Sequence, residues 1–123
     1  MINKKTVIIG ATPNTNRYAF AAANMLNERN YSFVPIGIKK GEIFGKTILD
    51  IRKKPSVDNV HTITMYIGPR HQPEWYDYLL SLLPQRVIFN PGTENFEFKR
   101  MLEENGIKVE MACTLVMIST GQY

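Results

Sequence analysis

A chain of 123 residues with 44% apolar and 21% charged residues is long enough to bury a core, and one globular domain is expected. Its net charge of +4 leans toward anionic ligands, but the lysines and arginines are scattered, with no dense basic run interleaved with aromatics, which argues against nucleic acid. The lone cysteine, Cys113, excludes an internal disulfide; with no signal-peptide pattern and no apolar run near the roughly 20 residues of a membrane span, a reducing, cytoplasmic setting is expected.

Residues 6–9 (Thr-Val-Ile-Ile) read as a buried strand that runs into Gly10 and a small, polar loop, Ala11, Thr12, Pro13, Asn14, Thr15, Asn16 and Arg17. A helix is predicted from about 17 to 28, with Ala19, Ala22, Ala23 and Leu26 at helical spacing. Asn14 or Asn16 is expected to cap its start, and Asn30 to take a left-handed conformation at its end. Strand, glycine and helix in that order leave backbone N–H groups at a helix N-terminus, a place suited to a phosphate. Arg17 in the first helical turn opposes the helix dipole unless an anion lies nearby.

A second strand is predicted over 32–36, then a glycine- and lysine-rich loop over 37–46 and a short turn over 49–55. The third strand spans about 59–67, including Met65, Tyr66 and Ile67, and Gly68-Pro69 ends it. Pro73 suits the first turn of the next helix, whose buried stripe is expected to be Trp75, Leu79, Leu82 and Leu83, with Pro84 as its stop. A fourth strand covers 86–89. The loop Asn90-Pro91-Gly92-Thr93 follows, then a helix from about Glu94 with Thr93 as cap and Asn105-Gly106 as stop. A fifth strand covers 107–110, and the apolar tail 114–118 is expected to pack as a last strand or helix.

This alternation predicts an α/β, Rossmann-like, doubly wound domain, its mostly parallel sheet of five or six strands covered by helices on both faces. Ligands of such sheets sit at the carboxyl ends of the strands, near the switch point. The loops 10–17, 37–40 and 66–70 leave those ends, and 90–93 is a fourth candidate.

The first loop has one glycine, so the dinucleotide fingerprint is incomplete. An NAD site wants an acid at the end of the second strand; here stand Gly37-Ile38-Lys39-Lys40, and the first acid is Glu42. Lys39 and Lys40 suit a ribose bearing a phosphate, as in coenzyme A or NADP, or equally a solvated turn.

Five groups of residues carry a family resemblance: Ile9-Gly10-Ala11-Thr12-Pro13-Asn14 with Asn16-Arg17-Tyr18; Val34-Pro35-Ile36; Gly41-Glu42-Ile43-Phe44-Gly45; Asn90-Pro91-Gly92-Thr93-Glu94-Asn95; and Ala112-Cys113-Thr114-Leu115-Val116 with Ser119-Thr120-Gly121-Gln122. Through them the chain resembles the stand-alone coenzyme A-binding domain family, related to the nucleotide-binding domain of the succinyl-CoA synthetase alpha subunit. The resemblance implies a Rossmann-like fold that binds coenzyme A. It implies that residues 10–17 hold the pyrophosphate and that Lys39 or Lys40 holds the adenosine phosphate. Met65, Tyr66, Ile67, Gly68 and Pro69 would then lie against the adenine or pantetheine. The chain departs from the family at Gly37-Ile38, where Asn-Pro is usual, and at Gly68, where a larger polar residue is usual.

Catalytic signals are thin. The resemblance's phosphorylated histidine sits in a second domain that this length does not accommodate. His61 reads as a structural histidine in mid-strand, and His71 as a helix-start residue or a ligand contact. No cluster has metal-ligand spacing, and no nucleophile elbow stands out. Cys113 reads as a small packing residue or as a thiol beside a coenzyme A thiol. Asn90, Pro91, Gly92 and Thr93 suit a ligand contact or a turn with a cap, and Trp75, Tyr76 and Tyr78 suit core packing or adenine stacking. The expected function is coenzyme A or acyl-CoA binding without catalytic machinery, as a sensor or accessory module, with a small-molecule nucleotide ligand and neither nucleic acid nor membrane. Two alternatives stay open: an NADP-linked oxidoreductase with Tyr66 or His71 as proton donor, and an interaction module with a vestigial pocket.

Overall fold

A computed structural model describes residues 3–123. Its strands are β1 (Thr6–Ile9), β2 (Phe33–Gly37), β3 (Glu42–Ile43), β4 (Lys46–Thr47), β5 (Leu49–Asp50), β6 (Thr62–Met65), β7 (Arg86–Phe89) and β8 (Lys108–Met111). Its α-helices are α1 (Tyr18–Glu28), α2 (Tyr76–Ser81), α3 (Phe96–Glu104) and α4 (Thr114–Ser119). Six strands form one sheet in the order β5-β2-β1-β6-β7-β8, every pairing parallel. The fold is thus the doubly wound α/β arrangement, and its chain order reverses between β1 and β6.

Strand alternation divides the core in two. Val7, Ile9, Ile63, Met65, Val87 and Phe89 face Leu79 of α2 and Phe98 and Leu102 of α3. Ile8 and Ile88 face the other way, toward Ala19, Ala23 and Leu26 of α1 and Met117 and Ile118 of α4. The alanines let α1 lie close to the sheet. Each fully buried Ile or Phe here contributes about 1.5–3 kcal/mol.

Several elements differ from expectation for local reasons. The loop over 37–46 contains the start of an antiparallel hairpin, β3–β4, and the expected turn after it begins with an edge strand, β5, paired to β2 through Ile36–Leu49 and Gly37–Asp50. Two-residue strands carry no periodic signal. The third strand shortens to Thr62–Met65, so His61 precedes it, with Nδ1 2.7 Å from the Thr62 hydroxyl. The tail is a helix. Leu83, expected in a buried stripe, is 78% exposed because the chain turns there with φ +50°. Asn30 is left-handed, φ +62°, as expected.

Candidate functional site

A cleft of about 630 Å³ opens at the carboxyl ends of β1, β2, β5 and β6, a size typical of small-molecule sites. Two glycines shape its floor. Gly10 has φ +95°, and a Cβ there would lie 3.0 Å from the Tyr66 carbonyl carbon and from Ile67 Cγ2. At Gly37 a Cβ would stand 2.7 Å from the Ala11 carbonyl oxygen, so the end of β2 runs directly against the β1–α1 loop. A side chain at residue 37 needs backbone movement, which makes the departure from Asn at this position a steric requirement of this chain.

The loop's amides divide into two sets. Gly10 and Ala11 both donate to the Ile36 carbonyl, at 2.9 and 3.1 Å, and so serve the fold. The N–H groups of Thr12, Thr15, Tyr18 and Ala19 have no acceptor among the described residues. Asn14 and Asn16 do not cap α1. Asn14 Oδ1 accepts from the Asn16 N–H at 2.9 Å, bracing the loop, and the N-cap position falls to Arg17, with no described side chain capping it. The first turn of α1 has no acidic residue. An uncapped N-terminus carries a partial positive charge and unpaired donors, the combination that draws an anion.

Of the residues singled out by sequence, Gly10, Ala11, Thr12, Asn14, Arg17, Lys39, Tyr66, Ile67 and Gly68 line the cleft. Pro13 lies beside it, where a Cβ on Gly41 would sit 3.2 Å from its Cγ. Asn16, Lys40 and Pro69 are exposed outside the lining. Met65 is fully buried in the α2/α3 core, so it presents nothing to a ligand. The Asn90 loop is also a correction. Asn90 is buried; its Nδ2 donates to the Thr64 hydroxyl (2.8 Å) and the Met65 carbonyl (2.9 Å), and its Oδ1 accepts from the Thr114 N–H (2.9 Å). Its amide is spent on tying β6, β7 and α4 together, while Pro91 and Gly92 form an exposed turn. Thr93 folds back on the Asn90 carbonyl through both N–H and hydroxyl, and the cap of α3 is Asn95, accepting from Phe98 N–H at 3.0 Å.

The sequence alone points to no ligand role for Ile51, Arg52 or Glu74, which line the cleft together with Gly37, Ile38, His71 and Trp75. Ile51 and Arg52 come from a one-turn helix after β5, a strand too short to announce itself; recognising an edge strand beside β2 was the missing signal. His71, Glu74 and Trp75 come from two short helical turns after β6, over Pro69–His71 and Pro73–Trp75. Buried Gln72 anchors this wall: its Nε2 donates to the carbonyls of Ile67 (3.0 Å) and Thr93 (2.8 Å), and its Oε1 accepts from Asn95 (3.0 Å). The Asn90–Asn95 loop therefore supports the cleft from behind.

The cleft's electrostatics are mixed, with Arg17, Lys39 and Arg52 against Glu74. Asp50 at the end of β5 accepts from the Arg52 backbone N–H (3.0 Å) and Nε (2.8 Å) through one oxygen, and the Arg52 contact holds its carboxyl below the usual range. The Tyr66 hydroxyl is buried without a hydrogen bond, the nearby Thr64 and Thr114 hydroxyls being engaged with each other at 2.8 Å. Burial pushes its pKa up to about 12. Cys113 is half-buried at the N-cap of α4, outside the lining of the cleft. No group of three or more metal-ligating side chains forms among the described residues, and no described helix is long and apolar enough to cross a membrane.

The chain is similar to several solved structures. One, described as an uncharacterized protein, is 52% identical over the whole of both chains, with a TM-score of 0.96. Cell-free ID.343 from Thermus thermophilus is 22% identical, with a TM-score of 0.80 over 98% of this chain and 91% of that one. A hypothetical protein from Pyrococcus horikoshii OT3 is 23% identical, with a TM-score of 0.82 over 96% and 83% of the two chains. At these last two identities the likeness speaks for the fold. No curated protein matches the sequence. The family model described as CoA binding domain matches residues 4–119, nearly the full length of the polypeptide and every wall of the cleft, and the chain belongs to that family.

Proposed function

We propose that the cleft binds coenzyme A or an acyl-CoA, and that the protein acts as a binding module, a sensor or accessory unit, rather than through catalytic groups of its own. The observation that carries this reading is the start of α1: a helix of 11 residues without a described cap or an early acid, opening on a cleft that also holds Lys39 and Arg17. The pyrophosphate takes the free loop amides and the helix end, in charge-assisted hydrogen bonds. The ribose phosphate meets cations, since β2 ends in Gly37 where a diol-binding site would carry an acid. The adenine lies in the apolar slot of Ile51, Ile67 and Trp75.

Trp75 is the only tryptophan and lines the cleft, so its fluorescence reports occupancy directly. Titration with coenzyme A, acetyl-CoA, dephospho-coenzyme A, NADP and NAD, paired with thermal unfolding, tests the reading. Coenzyme A and its acetyl ester are expected to change the emission and raise the unfolding midpoint. A response to NADP without one to coenzyme A assigns the site to the nicotinamide cofactor instead. No response to any of the five at millimolar concentration leaves a vestigial pocket and ends the proposal.

A further inference from the structure

Lys39 and Arg52 leave the sheet at the same level. Gly37 and Asp50 are register partners across the parallel β2–β5 seam. Lys39 follows the first by two residues and Arg52 follows the second by two, and both line the cleft. Adjacent strands lie about 4.8 Å apart, so the two cations come from neighbouring strand ends. They differ in how they are held. Both side chains are exposed, and Lys39 stands on a bend after β2. Arg52 is clamped: Asp50 Oδ1 takes its backbone N–H and its Nε, which orients the guanidinium and leaves the Nη groups without an acceptor among the described residues. A planar fork with one edge pinned and the other free matches the geometry of a phosphate. The contact uses one carboxylate oxygen of Asp50, the register partner of Gly37 across the seam.

We propose that Arg52, pinned by Asp50, makes the cleft select a ribose that carries a phosphate, with Lys39 as the second cation and Asp50 as the positioning residue. The inference rests on the coenzyme A reading above and adds the residue that separates coenzyme A from dephospho-coenzyme A. Arg52→Gln removes the fork together with its positive charge.

The test is the ratio of affinities for coenzyme A and dephospho-coenzyme A, read from Trp75 fluorescence in the full chain. The wild type is expected to favour coenzyme A by roughly tenfold to a hundredfold, the worth of one charged hydrogen-bonded contact. Arg52→Gln is expected to erase most of that ratio while binding dephospho-coenzyme A within about twofold of the wild type. Arg52→Lys and Asp50→Ala, which keep the positive charge but lose the fork or its clamp, are expected to fall between. Arg52→Lys carries the test if the glutamine variant fails to fold. A ratio unchanged in both Arg52 variants, or equal losses for both ligands, overturns the inference and leaves coenzyme A binding standing. A ratio unchanged in Asp50→Ala overturns the clamp. A wild type that binds neither ligand overturns this inference and the reading beneath it together.

Discussion

Two strand-to-helix loops at the top of this sheet are built from nearly the same residues and do opposite work. Gly10-Ala11-Thr12-Pro13-Asn14-Thr15-Asn16 leads into α1, and Asn90-Pro91-Gly92-Thr93-Glu94-Asn95 leads into α3. In the second, Asn90 is buried with its amide fully engaged, Asn95 caps the helix, and Glu97 sits in its first turn. In the first, the asparagines brace the loop, the cap position is an arginine, and the first turn carries no acid. One helix end is completed by the chain itself; the other is left with donors and positive potential at the mouth of a cleft. Composition alone does not distinguish a loop sealed by its own chain from one left with free donors. What distinguishes them is whether the polar groups find partners inside the protein.

The contrast can be broken from either side. The largest effect is expected on the sealed side: Asn90→Ala leaves the Met65 carbonyl and the Thr114 N–H without their partner and is expected to cost about 2–4 kcal/mol in chemical denaturation. Next comes the contact beneath the open loop. Gly37→Ala drives a Cβ toward the Ala11 carbonyl and is expected to cost about 1–3 kcal/mol and to weaken coenzyme A, seen by denaturation and fluorescence titration.

A smaller and opposite effect sharpens the comparison. Arg17→Asp supplies the open helix with the cap and acid that its counterpart has. It is expected to raise unfolding stability by about 0.5–1 kcal/mol, while weakening coenzyme A at least roughly tenfold. Stabilisation without loss of binding would show that the helix end is not where the anion sits.

The smallest effect lies at the opposite end of the sheet. Burial, with Arg86 and Lys4 nearby, pushes the His61 pKa below 6.5. The unfolded chain therefore takes up this proton first, and the histidine's contribution to stability is lost as pH falls below about 6.5. The stability advantage of wild type over His61→Gln, followed by urea denaturation from pH 7.5 to 5, is expected to shrink as the pH falls through this range.

The amino-acid order alone determined the framework. Val7, Ile8 and Ile9 followed by Gly10, the alanines of α1, and the Asn105-Gly106 stop are local signals, because strand burial, close helix approach and chain reversal each depend on residues a few positions apart. Tertiary structure decided the site. Arg52 enters the cleft because a two-residue strand pairs with β2, and Met65 and Asn90 leave it because strand alternation and a three-way hydrogen-bond junction turn them inward. Gly37 is held to glycine by a carbonyl 26 residues earlier in the chain. Each of these depends on which groups meet across long sequence separations, and no window of neighbouring residues contains that information.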